Sequence, residues 1–181
     1  AVAARSSNLF FGTGLLNDTN EVKVIDMADL DGSRNVRVIM RFTAAVQIGI
    51  ASDVIINEDG DKHFIYKDKK KKFTSPAFNF DEVTKLPENS ILLSSDSVNK
   101  VMGVSFKAGN SEITGLQYHP DYEYYQMINL IAGRKERLFN NKNFLNEDEY
   151  EKHISYIKSE NELLNFNDRS CEVRNWLNHI K

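Results

Sequence analysis

Residues 112–122 read EITGLQYHPDY, and the reading of the fold turns on them. The stretch reads as a strand that ends at Tyr118 and a helix that begins just after Pro120. His119 then sits on a strand-to-helix loop at the carboxyl edge of a sheet, where open α/β folds place their ligands. Pro120 suits a first helical position, because its missing N–H would have no partner there anyway. Asp121 follows His119 at a spacing of two. A carboxylate that close can fix an imidazole's tautomer and stabilise its protonated form. The expected geometry is a partly exposed His119 with Asp121 in hydrogen-bond reach, directly or through one water. A plainer reading stands beside this one, in which Asp121 caps the helix and His119 is a loop residue. A lone His-x-Asp does not choose between them.

Downstream of this stretch the apolar period is helical. Tyr124, Met127, Ile128, Ile131 and Leu138 predict a helix from Asp121 with one buried face. Arg134, Lys135 and Arg137 fall in its last turns, where cations complement the helix dipole. A polar linker at residues 140–146 precedes a second helix over residues 147–159. Asn167 and Asp168 then offer an N-cap to a last helix that buries Val173, Trp176, Leu177 and Ile180. Upstream, the chain reads as strands: residues 21–26, 36–42, 46–56, 73–83, 90–95 and 100–106. Residues 57–61 (NEDGD) read as a turn in which Gly60 can take positive φ, and Pro76 argues against a helix around it.

With 181 residues, 41% hydrophobic and 27% charged, the sequence suits one domain with a real core. The net charge of −3 gives no sign of nucleic acid binding. Residues 67–72 (KDKKKK) form a basic run without interleaved aromatics, which reads as a solvated hairpin end. The one cysteine, Cys171, cannot form an internal disulfide, and such sparing use fits a cytoplasmic setting. No apolar run approaches the ~18 residues of a membrane span. His63, His153 and His179 show no metal-ligand spacing, so no metal and no cofactor is expected.

Residues 115–121 (GLQYHPD) are similar to the strand–His-Pro-Glu signature of the class I glutamine amidotransferases. Other stretches resemble that family in the same order. Residues 48–51 (IGIA) resemble the segment after its nucleophile helix. Residues 78–83 (FNFDEV) with Leu86-Pro87 resemble its Ser-His-x-Asp-x-Val stretch and the Leu-Pro beyond. Residues 94–101 resemble the next strand pair, and residues 174–177 (RNWL) the C-terminal helix of stand-alone members similar to the glutaminase part of guanosine monophosphate synthase. The resemblance covers residues 44–181, as the C-terminal half of such a domain. Residues 1–43 match poorly. It implies an α/β fold with an open, mostly parallel, flavodoxin-like sheet, added antiparallel strands and an incomplete N-terminal side. It implies His119 as general base and Asp121 as its orienter, glutamine as substrate, and ammonia passed to a synthase or ligase partner. Hydrolysis of other γ-glutamyl bonds and a non-catalytic binding or regulatory role are the alternatives.

Three departures bear on this. The family's nucleophile is a Cys at a Gly-x-Cys-x-Gly turn upstream of the His, and no cysteine precedes His119 here. Asn79 stands where the family often has His, and Asp121 stands where Glu is usual, one methylene shorter. Cys171, after the base, reads as a buried structural thiol. Gly12 and Gly14 could form an oxyanion turn after a strand, or a plain tight turn.

Overall fold

Strands joined by brief turns can pair as antiparallel hairpins, whereas parallel neighbours need long crossovers. The computed structural model contains both kinds of pairing. It describes residues 7–11, 22–28 and 35–180, with side chains from residue 46 onward. The glycine turn read at residues 12–14 lies outside the described residues.

Among the described residues nine strands run β1 (Ser7–Phe11), β2 (Val22–Ala28), β3 (Asn35–Ile48), β4 (Ala51–Ile56), β5 (Lys72–Ser75), β6 (Phe78–Lys85), β7 (Ile91–Ser95), β8 (Gly103–Ala108) and β9 (Ser111–Leu116). They form a six-stranded sheet of order β1-β9-β8-β7-β4-β5 and a three-stranded sheet of order β2-β3-β6. The α/β class is as expected. Among the described strands the parallel pairing is β1 with β9, register Phe11 to Leu116, while the other pairings are antiparallel. The described residues thus carry chiefly the added antiparallel strands of the expected sheet. β1 and β9 end at the same edge.

The extended run expected over residues 46–56 is broken at Gly49, whose φ of +82° suits glycine. There the chain leaves one sheet and enters the other. Residues 57–61 are not a positive-φ turn but the start of helix α1 (Glu58–Lys62), capped by the Asn57 side chain on the Gly60 N–H. Gly60 is needed for room, because a Cβ there would lie 2.1 Å from the Leu93 carbonyl oxygen. A 3₁₀ turn follows at Phe64–Tyr66.

The helix expected from Asp121 begins later and is divided. Pro120 is the second residue of a turn closed by the Tyr122 N–H on the His119 carbonyl, where its fixed φ fits. Helix α2 (Tyr124–Ala132) starts only after Glu123, whose N–H donates to Gln126 Oε1. Gly133 ends it, and α3 (Lys135–Asn140) follows. Arg134 and Arg137 lie over the Phe78 and Phe80 rings rather than closing one long helix. The second helix, α4 (Glu147–Leu163), outruns its expected end, and the last helical stretch divides into α5 (Phe166–Arg169) and α6 (Cys171–His179). Asn165, not Asn167 or Asp168, caps α5.

Tyr124, Met127, Ile131, Leu138, Tyr150, Ile154 and Ile157 pack with Ile48, Ile50 and Phe78 into one core under α2–α4. A second core gathers Val54, Ile65, Tyr66, Phe73, Leu93, Met102 and Tyr118, with Trp176 of α6 against it. No described helix is long and apolar enough to cross a membrane.

Candidate active site

β9 stops at Leu116, two residues before the expected end at Tyr118, and His119 lies three residues beyond it on the loop that leads to α2. Its Nδ1 lies 3.4 Å from Asp121 Oδ1, so the pair is brought together. The imidazole is more buried than expected, the residue being 5% exposed. Tyr122 stacks on it at 4.8 Å between centroids, an effect of the His119–Tyr122 turn folding that ring back.

Each of three consecutive residues is held by a different element. The Gln117 carbonyl accepts from Asn79 Nδ2 of β6 at 2.5 Å. The Tyr118 hydroxyl donates to Glu172 Oε1 of α6 at 2.8 Å. The His119 N–H donates to the Pro76 carbonyl, between β5 and β6, at 2.7 Å. Asn79 also donates to Gln47 Oε1 at 3.0 Å, and Gln47 Nε2 to Asp96 Oδ2 at 2.5 Å. Asn79, standing where the family often has His, therefore supports the loop from below.

Cys171 is buried, as read from the sequence. Its Sγ is 3.1 Å from the Lys67 carbonyl. Burial, then the nearby Glu172 charge, pushes the thiol up from its ordinary value, and both oppose a thiolate. The expected inward face of the last helix needs correction. Cys171, Glu172 and Asn175 are buried, while Leu177 is exposed, because Lys69, Tyr118 and the Ile65 and Lys67 carbonyls offer polar partners there. The basic run is likewise not wholly solvated: the Lys69 side chain is 5% exposed and its Nζ lies 3.0 Å from Glu172 Oε2. Among the described residues no group of three or more His, Cys, Asp or Glu is placed to hold a metal ion.

No protein-family model matches the sequence. A glutamine amidotransferase of known structure from Thermotoga maritima overlies 78% of this chain and 54% of its own, with a TM-score of 0.54 and 15% identity. The fold is that of the class I glutamine amidotransferases. A gamma-glutamyl-L-1-hydroxyisopropylamide hydrolase from a Pseudomonas species is 27% identical in a 146-residue alignment that covers 72% of this chain and 49% of that protein. The chain spans about half the length of the curated relative it matches. Within the amidotransferase fold, His119 and Asp121 stand at the sheet edge where β1 and β9 both end.

Sequence reasoning missed Glu172, Lys69 and Tyr66. One signal was available: Glu172 falls next to Cys171 at the start of an amphipathic helix, on the side that turned out to be buried.

Proposed function

We propose that this domain acts on a γ-glutamyl amide bond, that of glutamine, and releases ammonia to a synthase or ligase partner. The observation that carries the reading is the His119–Asp121 contact of 3.4 Å beyond the carboxyl end of β9, in a class I amidotransferase fold. Attack on a carboxamide builds an oxyanion and then expels ammonia, a poor leaving group unless protonated. An imidazole at the edge can take a proton from the nucleophile and return it to the leaving nitrogen. Asp121 fixes the ring and offsets its charge when protonated. These are the steps this chain's residues supply. The thiolate is not among them, since Cys171 is packed into the core beneath the basic run, tied to Lys67. A cytoplasmic setting belongs to the proposal and is supported by the sparing use of cysteine.

A second reading, hydrolysis of a γ-glutamyl alkylamide, is favoured by the Pseudomonas relative, whose name describes such a substrate. Ammonia release from glutamine and amine release from a γ-glutamyl alkylamide separate the two. The purified 181-residue chain is expected to release neither above background, because removal of a nucleophile leaves only the residual catalysis of binding and oxyanion stabilisation. Adding a segment that supplies a Gly-x-Cys-x-Gly turn is expected to start turnover, and His119→Ala to stop it. Turnover by the chain alone that Cys171→Ala abolishes would overturn the assignment. Glutamine binding by calorimetry without turnover in any mixture would point to a binding module instead.

A further inference from the structure

Behind His119 a line of buried polar side chains crosses the core. Ser94 Oγ of β7 is 2.7 Å from the Tyr66 hydroxyl, which is 3.0 Å from that of Tyr118. Tyr118 donates to Glu172 Oε1, and Lys69 Nζ donates to Glu172 Oε2 at 3.0 Å and to the Asp168 carbonyl at 2.7 Å. Glu172 itself is fully buried. The strand lattice makes room for this line: a Cβ on Gly103 would lie 2.4 Å from the Tyr66 hydroxyl and 2.7 Å from Ser94 Oγ.

A buried ion pair seldom stabilises a fold more than apolar residues of the same volume would. What it can give is a fixed position, because a fully partnered network has one arrangement. The residue it fixes here is Tyr118, whose peptide bond leads directly into His119. The Gln117 carbonyl and the His119 N–H are held by backbone-directed bonds to β6 and to the Pro76 carbonyl. The intervening side chain is held by α6 through a carboxylate.

We propose that Glu172 is a positioning residue for His119: through Tyr118 it fixes the peptide that presents the imidazole to Asp121, and Lys69 keeps its carboxylate oriented. This rests on His119 being the proton carrier. Glu172 touches neither substrate nor the reacting atoms, and its effect is confined to where the ring sits.

The test follows the His119 backbone amide and imidazole nitrogens by NMR in the ¹⁵N-labelled chain. Two variants are compared on a Lys69→Met background, so that neither leaves a lysine buried without its carboxylate. Glu172→Gln keeps an acceptor for the Tyr118 hydroxyl, and Glu172→Leu does not. The expected result is a His119 amide unmoved by the first relative to Lys69→Met alone and displaced by the second. Equal displacement by both, or by neither, overturns the proposal, since charge or packing alone would not distinguish them. Should the leucine variant not fold, Tyr118→Phe replaces it, and an unmoved His119 amide there is equally fatal. Asp121→Asn serves as the control on the underlying reading. If it leaves the His119 ring signals unchanged, the His–Asp pairing fails whatever the amide does.

Discussion

At the start of β9, Glu112 meets two imidazoles, with His63 Nε2 4.0 Å from one oxygen and His179 Nε2 3.7 Å from the other. Just past its end, His119 Nδ1 lies 3.4 Å from Asp121 Oδ1. Both ends bring imidazole to a carboxylate, but what holds the groups differs. His179 stacks flat on Phe64 at 3.7 Å, and His63 packs against the same ring at 4.5 Å. Those two rings clasp α6 and the 3₁₀ turn to the strand, and Glu112 lies half-buried beside them. At the other end the ring hangs on a segment tied down residue by residue, at Gln117, Tyr118 and His119. A histidine close to a carboxylate is easily come by. Rigid support of the peptide that carries it is what suits a group for directed proton transfer.

The largest expected effect breaks the symmetry of the two ends directly. In any preparation that turns over a γ-glutamyl amide, His119→Ala is expected to lower kcat/KM by about 10²–10⁴-fold, the usual contribution of a placed acid–base group. His63→Ala and His179→Ala are expected to leave kcat/KM unchanged. Comparable losses from all three would mean that the clasp shares in the chemistry.

Next in size is the cost of the support. Glu172→Leu alone strands the Lys69 ammonium in the core and is expected to lower unfolding free energy by about 3–5 kcal/mol in urea titration. Adding Lys69→Met should recover most of that. Glu112→Ala, at the more open end, is expected to cost no more than about 1 kcal/mol, as pairs in contact with solvent do. If the two single substitutions cost the same, the contrast between the ends is not energetic.

Gly103→Ala follows, at about 1–3 kcal/mol, the range for forcing extra atoms into a packed core. Its Cβ meets the Tyr66 and Ser94 oxygens, so Tyr66→Phe in the same chain should relieve part of the loss. A neutral Gly103→Ala, read by thermal melting, would mean the line of hydroxyls can shift without penalty.

How much of this was legible depends on the range of the interaction. The strand before His119 and the carboxylate two residues on are local features, and the turn residues and period of the sequence carried both. The change of sheet at Gly49 and the packing of Lys69 against Glu172 are not local. Residues 69 and 172 stand 103 apart, and no period in either segment links them. Lys69 sits in a run that reads as a solvated face because its neighbours are exposed. The buried partner that changes its environment arrives only with α6. Glu172 was similarly hidden by the apolar residues around it, which fit a plain amphipathic helix.

The smallest expected effect concerns pH and sharpens the comparison at the clasp. Burial holds the His63 imidazole below its ordinary value of 6.5, with Glu112 pulling the other way and His179 adding to the lowering. Geometry agrees with a neutral ring, since His63 Nδ1 accepts the Ile65 N–H at 3.3 Å and so caps the 3₁₀ turn. A proton on that nitrogen removes the cap. The unfolded chain binds the proton more readily than the folded one, so the contribution to stability is complete above pH 6.5. It is lost progressively as pH falls below that value toward the lowered one. Urea midpoints measured across this interval should therefore decline with acidity. His63→Asn, whose side-chain oxygen can take over the cap, should flatten the decline. Glu112→Gln should steepen it, because it removes the one group named here that favours the protonated ring. Midpoints that instead rise with acidity, and lose that rise in Glu112→Gln, would mean that attraction to Glu112, and not burial, governs His63, and that this end of β9 behaves as an ion pair after all.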